Sequence, residues 1–210
     1  MSNYPESLVS PGLLFRKNMS KKRLRVLYHH RNKASKSLYM SILVKNLSSE
    51  LTTIYTYKGI AGSTSDMVFA GHKAGVDFFD DILRQGTAVT LEPFESVKLI
   101  YQQIKPDQTV SGIFRVEKPL TANVLVKMGV VDGKDDVLSG FFDSPDFVNQ
   151  YRLFSFSESY RNIQFSFDCA DQPKQFLIGG PPYLKSVIDG NIMKGNYGLL
   201  YYINMKIINS

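Results

Sequence analysis

Apolar and polar residues alternate with a period of two in segment after segment of this chain, and that pattern restricts it to a fold built mainly of half-buried β-strands. In RLRVLYHH, Leu24, Val26, Tyr28 and His30 share one face while Arg23, Arg25, Leu27 and His29 share the other. In SLYMSILVKN the inward set is Leu38, Met40, Ile42 and Val44, and LTTIYTY adds Ile54 among β-branched and aromatic residues that suit a pleated surface. Further strands are expected at TAVTLEP, SVKLIYQQI, TVSGIFRVEK and NVLVKMGVV, with Lys105-Pro106-Asp107-Gln108 as a turn whose proline presets the first dihedral. Seven strands between residues 22 and 131 describe an immunoglobulin-like β-sandwich.

One short helix interrupts this series. GIAGSTS (59–65) reads as a loop, and GVDFFDDILRQG (75–86) reads as a helix with Val76, Phe79 and Leu83 facing the sheet, Phe78 and Ile82 widening the stripe, and Gly86 at the C-terminal cap. Residues 132–210 are less regular. They contain the loop DGKDD, the segment FDSPDFVNQY as a short helix, and strands at RNIQFSFDC and KQFLIGG. The expected organisation is therefore an N-terminal extension over 1–21, a β-sandwich over 22–131, and a smaller β-rich C-terminal lobe over 132–210. The ending, GNYGLLYYINMKIINS, aligns with residues 38–46 when Asn209 is set on Asn46, as the first strand of a truncated second sandwich would. Its two apolar faces read as a central strand, or as one that pairs with another chain by strand addition.

The charge is uneven. The net charge is +6, yet residues 7–49 hold ten Lys and Arg and no acid, while the rest of the chain is close to balanced. A block of this kind fits an anionic partner, and Lys21, Lys22, Arg23, Arg25 and Arg31 are the residues expected to contact it, with Tyr57 as an exposed aromatic platform. The plain structural reading is a solvated strand edge protected by lysines.

Catalytic chemistry finds little support in the residues. Adjacent strand residues point to opposite faces, so His29 and His30 cannot chelate one metal together. His30 and His72 remain weak metal candidates that would need carboxylates from elsewhere, and no cofactor is expected. Asp77, Asp80 and Asp81 read as a cluster near a helix N-terminus, and Asp132, Asp135 and Asp136 lack the spacing of a calcium loop. The single cysteine, Cys169, excludes an internal disulfide and reads as a buried or half-buried inert thiol at a strand end. Walker-type phosphate loops and G-x-S-x-G nucleophile elbows are absent.

The order SPGLLF, LYHHRN leading to LYMSILVKN, a GH-containing loop before a helix, and GNYGLLYYINMKIIN resembles an uncharacterised family of predicted secreted bacterial proteins. The resemblance implies an extracytoplasmic setting and a second sandwich longer than the one here, and it supplies no catalytic residue. The chain begins without a signal-peptide pattern, which read literally means cytoplasm, and without a run of some 18 apolar residues that would span a membrane. Together these readings give a non-enzymatic cell-envelope or extracellular binding or structural module contacting an anionic wall polymer or glycan. A nucleic-acid-binding or virion structural protein is the second reading, and a metal-assisted hydrolase the third.

Overall fold

The computed structural model describes residues 5–133, 156, 160–170, 172–173, 175, 177–187, 190–193 and 198–209. It divides into a larger compact unit, Asn3–Leu153, and a smaller one, Phe154–Ser210 with Met1–Ser2. The larger unit contains strands β1 (Glu6–Leu8), β2 (Gly12–Asn18), β3 (Arg23–Asn32), β4 (Leu38–Asn46) and β5 (Thr52–Thr64), then helix α1 (Met67–Ile82), then β6 (Thr87–Leu91), β7 (Ser96–Ile104), β8 (Thr109–Glu117) and β9 (Val124–Val131).

Two sheets share these strands. Sheet A runs β1-β3-β8-β5-β6 and sheet B runs β2-β9-β4-β7. Within each sheet the pairs are antiparallel except β1 on β3. Strand β2 pairs with β9, β3 with β8, β4 with β7 and β5 with β6, as if one long hairpin with its tip at β5–β6 had been rolled up. Every link between consecutive strands from β2 to β9 crosses between the sheets, except that between β5 and β6. This nested order is that of a double-sheet jelly roll. The β-rich class with one helix is as expected. The strand order differs from the immunoglobulin arrangement, in which several consecutive strands are sheet neighbours.

The alternation seen in the sequence explains the core. Leu38, Met40, Ile42 and Val44 of β4 meet Val126 and Val130 of β9, Ile54 of β5, and Phe114 and Val116 of β8 in one cluster drawn from both sheets. Each such side chain contributes about 1.5–3 kcal/mol relative to exposure. Residues before position 22 belong to this core rather than to an extension, since Leu8 is fully buried and Leu14 and Met19 join the same cluster. Asn32 and Asn46 end β3 and β4 in the same way. Each turns its side-chain oxygen to a backbone N–H two residues on and donates its amide to backbone carbonyls, Lys36 and Ile104 for Asn32, Glu50 and Glu92 for Asn46. Buried strand ends are thereby satisfied.

Helix α1 begins eight residues before the expected start, with Asp66 as N-cap accepting from the Phe69 N–H at 2.9 Å. The GIAGSTS segment lies in β5 up to Thr64 rather than in a loop. The helix packs its small residues, Ala70, Gly71 and Ala74, together with Phe78, against sheet A. Val76 (53% exposed) and Leu83 (86% exposed) face solvent, opposite to expectation, while Phe79 and Ile82 are half-buried. Gly59 of β5 sets this choice, because a Cβ there would lie 2.1 Å from the Ala74 carbonyl oxygen and 2.3 Å from the Phe78 nitrogen. Only a small-residue helix face comes that close. Gly86 lies three residues past the cap residue Leu83, at φ +74°, against the Tyr57 ring. Asp77, Asp80 and Asp81 fall in the last turns of α1, not near its N-terminus. Lys73 holds Asp77, and Asp81 accepts from the Lys58 N–H.

In the smaller unit β10 (Tyr160–Asp168) pairs in parallel with β13 (Leu200–Ile208), and β11 (Leu184–Lys185) pairs with β12 (Ile192–Met193). Among the described residues β13 has one strand neighbour, and Tyr202, Ile203, Met205 and Ile207 are exposed. Among the described residues it is therefore one of two paired strands rather than the central strand the sequence suggested. Leu177–Gly180 is not a strand, and Cys169 at the end of β10 is exposed rather than buried. The helix expected at FDSPDFVNQY, and Asp135 and Asp136, lie outside the described residues. Among the described residues no helix is long and apolar enough to cross a membrane.

Candidate anion-binding surface

The expected contact residues do not form one site. Arg23 and Arg25 lie on the outer face of sheet A, where β8 brings Arg115 beside them. The Glu117 carboxylate lies 2.9 Å from Arg23 and 3.1 Å from Arg115, so one carboxylate is ion-paired with two guanidiniums. Arg115 also stacks 4.0 Å from the Tyr57 ring centroid, and Arg25 lies 5.2 Å from that of Phe78. Tyr57 is buried (9% exposed) beneath this layer and is not the exposed platform expected of it. Arg31 sits at the other end of β3, where it and Lys33 hold Asp107 at 2.7 and 2.6 Å. First Lys33 and then Arg31 keep the Asp107 carboxyl below the usual carboxylate range. Lys21 and Lys22 are exposed in the β2–β3 turn.

Two of these positions guard a strand edge. Strand β1 pairs only with His30–Asn32, so among the described residues the outer side of Arg23–His29 carries no strand. Arginines at such an edge oppose pairing with other chains.

A different face concentrates positive charge. The four strands of sheet B contain Arg16, Lys17, Lys45, Lys98 and Lys127 and no Asp or Glu. The register places Lys98, Leu43, Lys127 and Arg16 side by side across β7, β4, β9 and β2, with Lys45 two residues along from Leu43 on the same face. Beside this row Tyr39 and Tyr101 stack with ring centroids 4.9 Å apart, and the Lys98 ammonium lies 4.3 Å from the Tyr101 centroid. Tyr101 donates its hydroxyl to the Gly133 carbonyl, and Leu13, Leu43 and Val131 form the apolar floor. Lys21 and Lys22 follow in the turn after β2. Lys127 at the centre of the row is buried (7% exposed), so Arg16, Lys45 and Lys98 are the cations this face presents, with aromatic and apolar footing for an extended anion.

Two β-bulges build that face. In β7 the register shifts between Ile42 and Leu43 of its partner, which brings Lys98 to the same side as Tyr101 three residues later. In β2 a shift between Leu13 and Phe15 does the same for Leu13 and Arg16. A strict period of two would send each pair to opposite faces, and an inserted residue re-aims the side chains that follow. Lys98 and Lys127 were thus missed by the sequence reading, which followed the N-terminal charge block; their basic spacing within acid-free strands was the available signal.

The histidines stay apart. His30 is on the core side of sheet A, 3.8 Å from the Glu6 carboxylate, while His72 is exposed on the helix that covers the other side of that sheet. Among the described residues no group of three or more His, Cys, Asp or Glu converges as a metal site would require. Burial lowers both His29 and His30 to about 4, so the pair is neutral near pH 7. No protein-family model, curated protein or solved structure matches the chain.

Proposed function

We propose that the chain is a non-enzymatic binding or structural module whose larger unit engages an extended polyanion across the outer face of sheet B. The observation that carries this reading is the acid-free sheet, with Arg16, Lys45 and Lys98 presented on one face around the buried Lys127 and Lys21 and Lys22 exposed in the turn after β2. The partner class is an anionic wall polymer or glycan in a cell-envelope setting, where repeated phosphate, carboxylate or sulfate groups match a row of cations spaced at strand separations.

A second reading, single-stranded nucleic acid in a virion or complex, is favoured by the Tyr39–Tyr101 pair beside Lys98, since nucleic-acid surfaces combine cations with aromatic rings. The jelly-roll order is shared by capsid and lectin domains and therefore does not choose between them.

Titration of the full chain with poly(glycerol phosphate), a sulfated glycan and single-stranded DNA at several salt concentrations tests both. Binding to the first two is expected to weaken along a straight line of log affinity against log salt. The double substitution Arg16→Glu/Lys98→Glu is expected to cost at least about tenfold at low salt, as charge reversal removes several counterion-releasing contacts. Arg31→Gln, at the far end of β3, serves as the control. Preference for the nucleic acid would move the assignment to the second reading, and indifference to salt would remove both.

A further inference from the structure

Helix α1 shows two apolar faces where one is enough for a surface helix. Ala70, Gly71, Ala74 and Phe78 are buried against sheet A. Away from that face Phe69, His72, Val76 and Leu83, with the half-buried Phe79 between the last two, follow one another at intervals of three and four, which is the a/d spacing of a coiled coil. Phe69, Val76 and Leu83 are each more than half exposed. Among the described residues a stripe of this kind, four turns long, is a seam without a partner.

We propose that this stripe pairs with the same helix of a second copy of the chain, antiparallel about a two-fold axis. Self-complementary charge argues for that occupant. Lys73 and Asp80, seven residues apart, flank the stripe on one side. In an antiparallel pair that stacks Val76 on Phe79 and His72 on Leu83 of the second copy, Lys73 of each chain meets Asp80 of the other. On the opposite flank Gly75 then faces Ile82, and Gly75 has open space around its Cβ position. Each of these contacts occurs twice, as a two-fold interface requires. In the single chain Lys73 satisfies itself on Asp77 at 2.8 Å, a surface pair within one helix that exchanges readily.

One 16-residue helix is about 24 Å long and offers less than the roughly 800 Å² per partner of a standard interface, so the dimer is expected to be weak and concentration-dependent. Sheet B lies on the other side of the larger unit from α1. Pairing therefore neither needs nor blocks polyanion binding.

Sedimentation of the full chain from about 1 to 500 μM measures the association. A monomer–dimer shift is expected within that range. Val76→Asp, at an exposed position, should abolish it without changing the melting temperature. Lys73→Asp should weaken it at least about tenfold by creating two like-charge contacts, and adding Asp80→Lys should restore it, because only the reciprocal pairing returns both contacts. A chain that stays monomeric throughout, as it would if its own smaller unit covered the stripe, overturns the proposal. A dimer that survives Val76→Asp, or one whose loss in Lys73→Asp is not recovered by the charge swap, overturns it equally.

Discussion

His29 and His30 show how a residue's role is fixed by the face it lands on. Two adjacent imidazoles suggest chemistry, but alternation sends His30 to the core with Tyr28 and His29 to the opposite face with Leu27. Both are buried, and burial is the main cause that brings each from 6.5 to about 4, with the neighbouring His29 adding to the effect on His30. The sign follows directly. The unfolded chain takes up protons near pH 6.5 while the folded one resists until about pH 4, so the stability contributed is complete above 6.5 and is lost as pH falls toward 4. For His30 the slope is about 1.4 kcal/mol per pH unit within that window. Urea unfolding measured between pH 4 and pH 8 should show this decline. The double variant His29→Gln/His30→Gln should flatten it, and an unchanged slope would mean that the carboxylates alone carry the acid sensitivity.

At the scale of the element, the contact between α1 and β5 makes the sharpest demand on sequence. The Gly59 position meets helix backbone on two sides, so a methyl group there cannot be accommodated by a side-chain rotation. Gly59→Ala is expected to cost at or above the 1–3 kcal/mol typical of overpacking, because the helix itself must lift. Gly75→Ala, in the same helix with nothing near its Cβ position, should instead add about 0.5–1 kcal/mol through helix propensity. Thermal melts of the two variants should move in opposite directions; two shifts of the same sign would contradict this packing. The contrast also explains what the sequence left hidden. Bulky residues at 76, 79 and 83 mark a helix in the text of the sequence, whereas its true packing face is Ala70, Gly71 and Ala74, which read as loop because small residues leave no hydrophobic signature. The strands were legible because each presents its buried set every second residue. The bulges at β2 and β7 were not, since an inserted residue alters which face a cation occupies without altering composition.

For the whole molecule, local pattern identifies strands but cannot order them, because pairing of β2 with β9 joins the two ends of the larger unit and is decided only when both sheets close over one core. That closure also explains why the first residues belong to the fold: β1 covers the last three residues of β3, and Leu14 of β2 completes the core beneath β9. The nine strands and the sheet-facing side of the helix thereby belong to one unit. The smaller unit is of another kind, since among its described residues a parallel pair, β10 and β13, carries exposed apolar side chains, and a two-stranded sheet is marginal on its own. The asymmetry gives a prediction for the assembly of the chain. A protein ending at residue 153 should keep a single cooperative unfolding transition, with a melting temperature within about 2–4 °C of that transition in the full chain, the shift that about 1 kcal/mol produces at this size. The fragment of residues 154–210 alone should lack cooperative unfolding, for its paired strands have too little core to offset chain entropy. Near-ultraviolet circular dichroism and calorimetry distinguish the cases. A 153-residue protein that melts broadly or binds hydrophobic dyes would show instead that β10 and β13 are needed to complete the larger core.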